Sequence, residues 1–133
     1  MLCIGIDPGT HTGFAVWDTK TKKLVEVETM MIHQAFKRVF ELMEQDYICL
    51  RIEDARHVSR DGLNSIARLQ GAGSIKRDCA IWEDFCESCD IPFEFVRPGR
   101  GTKPTPEYFK MITKWKGRTS NHARDAAMLV FGK

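Results

Sequence analysis

The chain has 133 residues and a mass of 15.2 kDa, the size of one domain, so a single core over residues 1–133 is expected. Its 43% hydrophobic and 29% charged residues exclude a disordered, charge-dominated chain. No apolar run approaches the roughly 20 residues of a membrane span, and Met1 to Thr10 has no basic segment leading into an apolar one, so a cytosolic protein is expected. The net charge of only +2 conceals a strongly basic final third, taken up below.

Leu2 to Ile6 is apolar, Asp7 to Gly13 has turn chemistry and Phe14 to Trp17 is apolar again, which predicts a β-hairpin with Asp7 at the end of its first strand. After the Lys-rich turn at Lys20 to Lys23, Leu24, Val25 and Val27 partly alternate with Glu26 and Glu28, as in a third, more exposed strand. From Ile32 to Gln45 the apolar residues Ile32, Phe36, Val39, Phe40 and Met43 recur at steps of three and four, the spacing of one buried helix face. Tyr47 to Ile52 then reads as a buried strand that delivers Glu53 and Asp54 to its end.

A polar loop, Ala55 to Gly62, precedes a long helix whose residues Ala72, Ile75, Cys79, Trp82, Cys86 and Cys89 form a heptad-like seam. Gly71 and Gly73 weaken this helix by up to about 1 kcal/mol each, so a break or a close helix contact is expected there. Five cysteines, an odd number without a secretory leader, point to reduced thiols. Cys86 and Cys89 have zinc-like spacing but no second pair, and lie in the helical stripe, so they are read as packing residues.

Ile91 to Val96 is the last predicted strand, closed by Arg97 and Pro98. After a loop rich in Gly, Pro and basic residues, Thr105 as N-cap, Pro106 at the first helical position and Gly117 as the stop mark a helix with Tyr108, Met111, Ile112 and Trp115 on its apolar face. A final helix from about Asn121 to Phe131 carries His122 and Asp125 one turn apart on the same face. From Arg97 to Arg124 eight Lys or Arg stand against one acid, Glu107, which points to a polyanionic partner.

Asp7, Glu53, His122 and Asp125 each sit at a strand end or a helix start, where side chains from distant segments meet. Carboxylate oxygens are the hard donors that Mg²⁺ and Mn²⁺ prefer, and a two-ion site clamps the attacking and leaving oxygens of a phosphodiester. Taken singly, each has a plainer reading: Asp7 as a turn residue, Glu53 as a partner of Arg51 or Arg56, Asp125 as a complement to the helix dipole and His122 as a structural residue.

Together, Ile4-Gly5-Ile6-Asp7-Pro8-Gly9, Arg51-Ile52-Glu53 and His122-Ala123-Arg124-Asp125-Ala126-Ala127 resemble, in order and spacing, the active-site motifs of RuvC-type Holliday-junction resolvases. The resemblance spans almost the whole chain. It implies an α/β RNase H-like fold, a mixed five-stranded sheet flanked by helices, in a compact version of the bacteriophage kind. It further implies that Asp7, Glu53 and Asp125 bind two Mg²⁺ ions, with His122 where another Asp is commoner. Imidazole at that position favours Mn²⁺ more than an all-carboxylate set does.

The activity so implied is metal-dependent cleavage of four-way and related branched DNA to 5′-phosphate and 3′-hydroxyl ends, by a homodimer joined through the long helix around residues 72–89. Arg56, Arg60, Arg97, Arg100, Lys103, Lys110 and Lys114 are the expected phosphate contacts, with Lys103 or Lys110 the candidate for stabilising charge on the transferring phosphate. Other readings are a less selective nuclease acting on flaps, forks or hybrids, and a non-cutting junction-binding protein. The Gly5 to Thr10 motif also resembles the phosphate-binding start of actin-like ATPases, but those need two such domains, and 133 residues are too few.

Overall fold

The computed structural model describes residues 1–56, 66–99 and 103–133. The elements run β1 (Leu2–Asp7), β2 (His11–Asp18), β3 (Lys23–Met31), α1 (Ile32–Met43), β4 (Ile48–Glu53), α2 (Ile66–Ser88), β5 (Phe93–Val96), α3 (Pro106–Thr113) and α4 (Asn121–Val130). The five strands form one sheet in the order β3-β2-β1-β4-β5. β1 pairs antiparallel with β2 and parallel with β4, and β4 pairs parallel with β5, so the sheet is mixed as expected.

Strand parity divides the molecule into layers, because successive side chains point to opposite faces of a sheet. Ile4 and Ile6 of β1, Phe14 and Val16 of β2, and Ile48, Leu50 and Ile52 of β4 face one core, closed by Ala35, Val39 and Leu42 of α1 and by Trp82 and Cys86 of α2. Cys3, Ala15 and Trp17 face the other way, onto Phe109 of α3 and Ala123, Ala126, Ala127 and Val130 of α4. Asp7 and Glu53 continue the parity of Cys3 and Cys49, which sends both towards the α4 layer.

Three expectations are corrected. In α1 the buried residues are Ala35, Val39 and Leu42, whereas Phe40 and Met43 are 47% and 39% exposed. Ile32, Phe36 and Val39 of the predicted stripe do pack on the core, so the face is shifted only at its C-terminal end, where Leu42 replaces Phe40 and Met43. In α3 the fully buried residue is Phe109, while Tyr108 and Met111 stand exposed; the helix stops at Thr113 because Lys114 turns left-handed at φ 61°, well before Gly117. Thr105 is its N-cap as expected, accepting from the Tyr108 N–H at 3.1 Å. Finally, α2 runs unbroken through Gly71 and Gly73.

The seam of α2 is committed to this chain's own interior. Cys79, Trp82 and Cys86 are each fully buried, with Trp82 and Cys86 against the sheet and Phe36. A dimer contact cannot use those three side chains without unfolding the core. All five cysteines are free thiols. Among the described residues no helix is long and apolar enough to cross a membrane.

Candidate metal centre

Register brings the first two carboxylates together. β1 and β4 run parallel with Ile6 opposite Ile52, so the next residues, Asp7 and Glu53, leave the carboxyl ends of neighbouring strands side by side. α4 supplies the third. Its N-terminus is anchored by Ser120, whose Oγ accepts from the Ala123 N–H at 3.1 Å and bonds Thr29 Oγ1 of β3.

The helix then lies directly on the sheet. A β-carbon on Gly13 would fall 2.0 Å from the carbonyl oxygen of His122, and one on Gly5 would fall 2.0 Å from that of Ala126. Only glycine at these two strand positions lets the helix backbone approach so closely. That contact sets His122 and Asp125 over the strand ends.

Donor oxygens of Asp7, Glu53 and Asp125 all lie within 4.8 Å of one another, with Asp7 buried and the other two partly so. Repulsion among three carboxylates is relieved by protonation or by a cation. Burial, the hydrogen bond with Asp7 and the charges of Asp7 and Asp125 push Glu53 up to about 7, against the smaller opposing pull of Lys103. The all-oxygen donor set, short of positive charge, fits a hard divalent ion such as Mg²⁺ or Mn²⁺.

Neighbouring arginines do not neutralise Glu53. Arg51 donates to the Leu129 carbonyl at 2.7 Å and pairs with Glu94, while Arg56 pairs with Asp54 at 2.8 Å and Glu83 at 3.1 Å. The plainer reading of Glu53 as an arginine partner therefore finds no support. Arg56 also lies 4.3 Å from the centre of the Phe95 ring, so this expected phosphate contact is held in an intramolecular network. Arg124, part of the basic stretch, is 6% exposed and donates to the Thr119 carbonyl at 2.8 Å, bracing the turn into α4.

His122 stands at the site, with Nδ1 2.9 Å from Asp7 Oδ2. Against an ionised Asp7 this nitrogen is the donor, so the bond orients the carboxylate and holds the ring in one tautomer. Lys103 reaches Asp125 Oδ2 at 2.7 Å, and that carboxylate holds the ammonium charged above its usual range.

Arg97 is exposed beside the centre, and Lys110 and Lys114 are exposed on and just after α3. Arg60 and Arg100 lie outside the described residues. A cleft of about 380 Å³ adjoins the centre, with Glu53 and Asp125 in its wall beside Arg97, Lys103, Met128 and Leu129. Met128, Leu129 and Lys133 escaped the sequence reading. Their spacing on α4, three and four residues after Asp125 and so on the same helix face, was the signal for the first two.

No protein-family model matches the chain, and no curated protein matches it. Solved structures do. T. thermophilus RuvC in complex with a Holliday junction substrate aligns with a TM-score of 0.64 over 98% of this chain and 91% of that chain, at 16% sequence identity. The likeness covers the whole architecture and establishes the RNase H-like fold expected from the motifs.

Proposed function

We propose that this protein is a metal-dependent endonuclease that cuts four-way and related branched DNA, leaving 5′-phosphate and 3′-hydroxyl ends. The observation that carries the reading is the convergence of Asp7, Glu53 and Asp125 from two strand ends and a helix. Support comes from the fold shared with T. thermophilus RuvC, which was captured with a Holliday junction substrate.

In this reading Asp7, Glu53 and Asp125 hold Mg²⁺ or Mn²⁺, two ions per site. When bound, such ions make water a nucleophile near neutral pH and neutralise charge on the phosphate during in-line displacement. His122 keeps Asp7 oriented through Nδ1. Lys103 sits at the rim of the carboxylates, where an ammonium stabilises a phosphate whose negative charge grows in the transition state. Arg97, Lys110 and Lys114 contribute to binding the DNA backbone.

Paired nicks on opposing strands need two sites, hence a homodimer. With Cys79, Trp82 and Cys86 inside the core, the contact falls to the outward side of the same helix. Ile81 is 37% exposed there, and half-buried Phe85 stacks on Phe36 and meets exposed Phe40 edge-on. A non-cutting junction binder is the less favoured reading, since it leaves a complete carboxylate set without a role.

The test is cleavage of an end-labelled immobile four-way junction with Mg²⁺ or Mn²⁺, beside EDTA, Asp7→Asn and linear-duplex controls. Symmetric paired nicks on the junction, abolished by EDTA and by the substitution, are the expected result. Binding without cutting overturns the nuclease reading, and equal cutting of linear duplex overturns its selectivity.

A further inference from the structure

The two strands that carry Asp7 and Glu53 hold a second pair of facing side chains, each four residues earlier in the chain. β1 and β4 run parallel with Cys3 opposite Cys49, and the two sulfur atoms stand 3.2 Å apart. Among the described residues no other two of the five thiols are in hydrogen-bonding contact. Neighbouring strands lie about 4.8 Å apart, within the span of about 4.4–6.8 Å between α-carbons that a disulfide accepts. Bringing the sulfurs about 1 Å nearer forms the bond, and side-chain rotation supplies that without a change of register.

Access differs across the pair. Cys3 is 4% exposed and sealed in the second core, whereas Cys49 is only partly buried at the margin of that core. A small oxidant therefore reaches Cys49 first, and the sulfur that meets the product is Cys3. We propose that Cys3 and Cys49 are an oxidation site, converted by hydrogen peroxide into a disulfide that staples β1 to β4 behind the carboxylates.

The Cys49 thiolate attacks one peroxide oxygen, the O–O bond breaks and hydroxide leaves, giving a sulfenic acid. The Cys3 sulfur then attacks the Cys49 sulfur; an S–S bond forms, the S–O bond breaks, and the departing hydroxyl takes up the Cys3 proton as water. Two thiols are oxidised to one disulfide while one peroxide is reduced to two waters. Burial and the hydrogen bond with Cys3 push the Cys49 thiol up to about 12, against the smaller opposing pull of Arg51 and the N-terminal amine. Little thiolate is then present near neutral pH, so the site answers sustained oxidation and not a brief pulse. The link closes a loop of the chain that contains β2, β3 and α1, which restricts the unfolded state and holds the two carboxylate-bearing strands in register.

The test incubates the full chain with hydrogen peroxide, blocks remaining thiols with N-ethylmaleimide in acidic denaturant, and maps tryptic peptides by mass spectrometry. The expected result is a dithiothreitol-sensitive product joining Met1–Lys20 to Val39–Arg51, with Cys79, Cys86 and Cys89 carrying the maleimide. The thermal midpoint of the oxidised protein should rise by roughly 5–15 °C and fall back on reduction. Cys49→Ala replaces the more accessible member, and its folded protein should show neither the linked product nor the rise. Thiols left intact by prolonged peroxide, or Cys49 carried to sulfinic acid with Cys3 still free, overturn the proposal without reference to any cleavage assay. A linked product without a higher midpoint, or a rise that persists in Cys49→Ala, overturns the staple.

Discussion

The carbonyl oxygen of Ala126 occupies the space that a β-carbon on Gly5 would need, 2.0 Å from its ideal position. The obstacle is backbone, which cannot rotate aside as a side chain does, so Gly5→Ala must lift α4 from the sheet. Overpacking of this kind is expected to cost about 3 kcal/mol, read from urea denaturation of the metal-free protein. Gly13→Ala meets the carbonyl of His122 in the same way and lies nearer the carboxylates. It should therefore reduce metal affinity more than Gly5→Ala does at a similar loss of stability.

Asp7 and His122 should separate in their effects on the metal. Asp7→Asn removes a donor outright, whereas His122→Ala removes only the group that orients that donor. Calorimetric titration with Mn²⁺ is expected to show a loss of about 10–100-fold for His122→Ala and a larger one for Asp7→Asn. Equal losses would make His122 a ligand in its own right.

The pH dependence follows from Glu53, which burial and its neighbouring carboxylates raise to about 7 in the folded protein from 4.5. A raised carboxyl contributes stability that is fully present below its unfolded value and is lost as the pH climbs through the folded one. The metal-free protein should therefore lose about 1–2 kcal/mol from this group between pH 4.5 and 7.5, solvent screening at its partly exposed position included. Glu53→Gln should flatten that part of the stability profile, measured by denaturation at fixed ionic strength. Over the same interval Mn²⁺ binding should strengthen in the wild type, because the ion competes with the proton.

Arg56 and Arg97 both looked like phosphate contacts, and the structure separates them. Arg56→Ala removes the guanidinium that pairs with Asp54 and Glu83 and uncovers the Phe95 ring, and should destabilise the fold by about 2 kcal/mol. Its effect on the salt dependence of junction affinity should be small. Arg97→Ala should do the reverse, leaving stability unchanged and lowering the slope of log affinity against log salt by about 0.7–0.9. Fluorescence anisotropy across a salt series distinguishes the two.

Much of the candidate site was legible in the chain because its parts are local. Apolar runs with turn chemistry placed Asp7 and Glu53 at strand ends, and the Asn121 to Phe131 segment carried His122 and Asp125 on one helix face. The α1 face was legible at Ile32, Phe36 and Val39 but not at Ala35 and Leu42, because Phe40 and Met43 dominate the apolar count at its C-terminal end. The roles of Arg51 and Arg56 were open for another reason: each had acids within reach in sequence, and the partners actually taken include Glu94 and Glu83, which only folding brings near.

Element type, order and strand parity were thus determined by the sequence alone, since alternation and helical spacing act over a few residues. The parallel register of β1 with β4, the seating of α4 on Gly5 and Gly13, and the meeting of Lys103 with Asp125 were decided only by the tertiary structure. Those contacts join segments distant in sequence: strands separated by a helix, a helix from the far end of the chain, and two side chains brought together across a loop and a helix. The charge crowding that suits the centre to a divalent cation exists only once they are made.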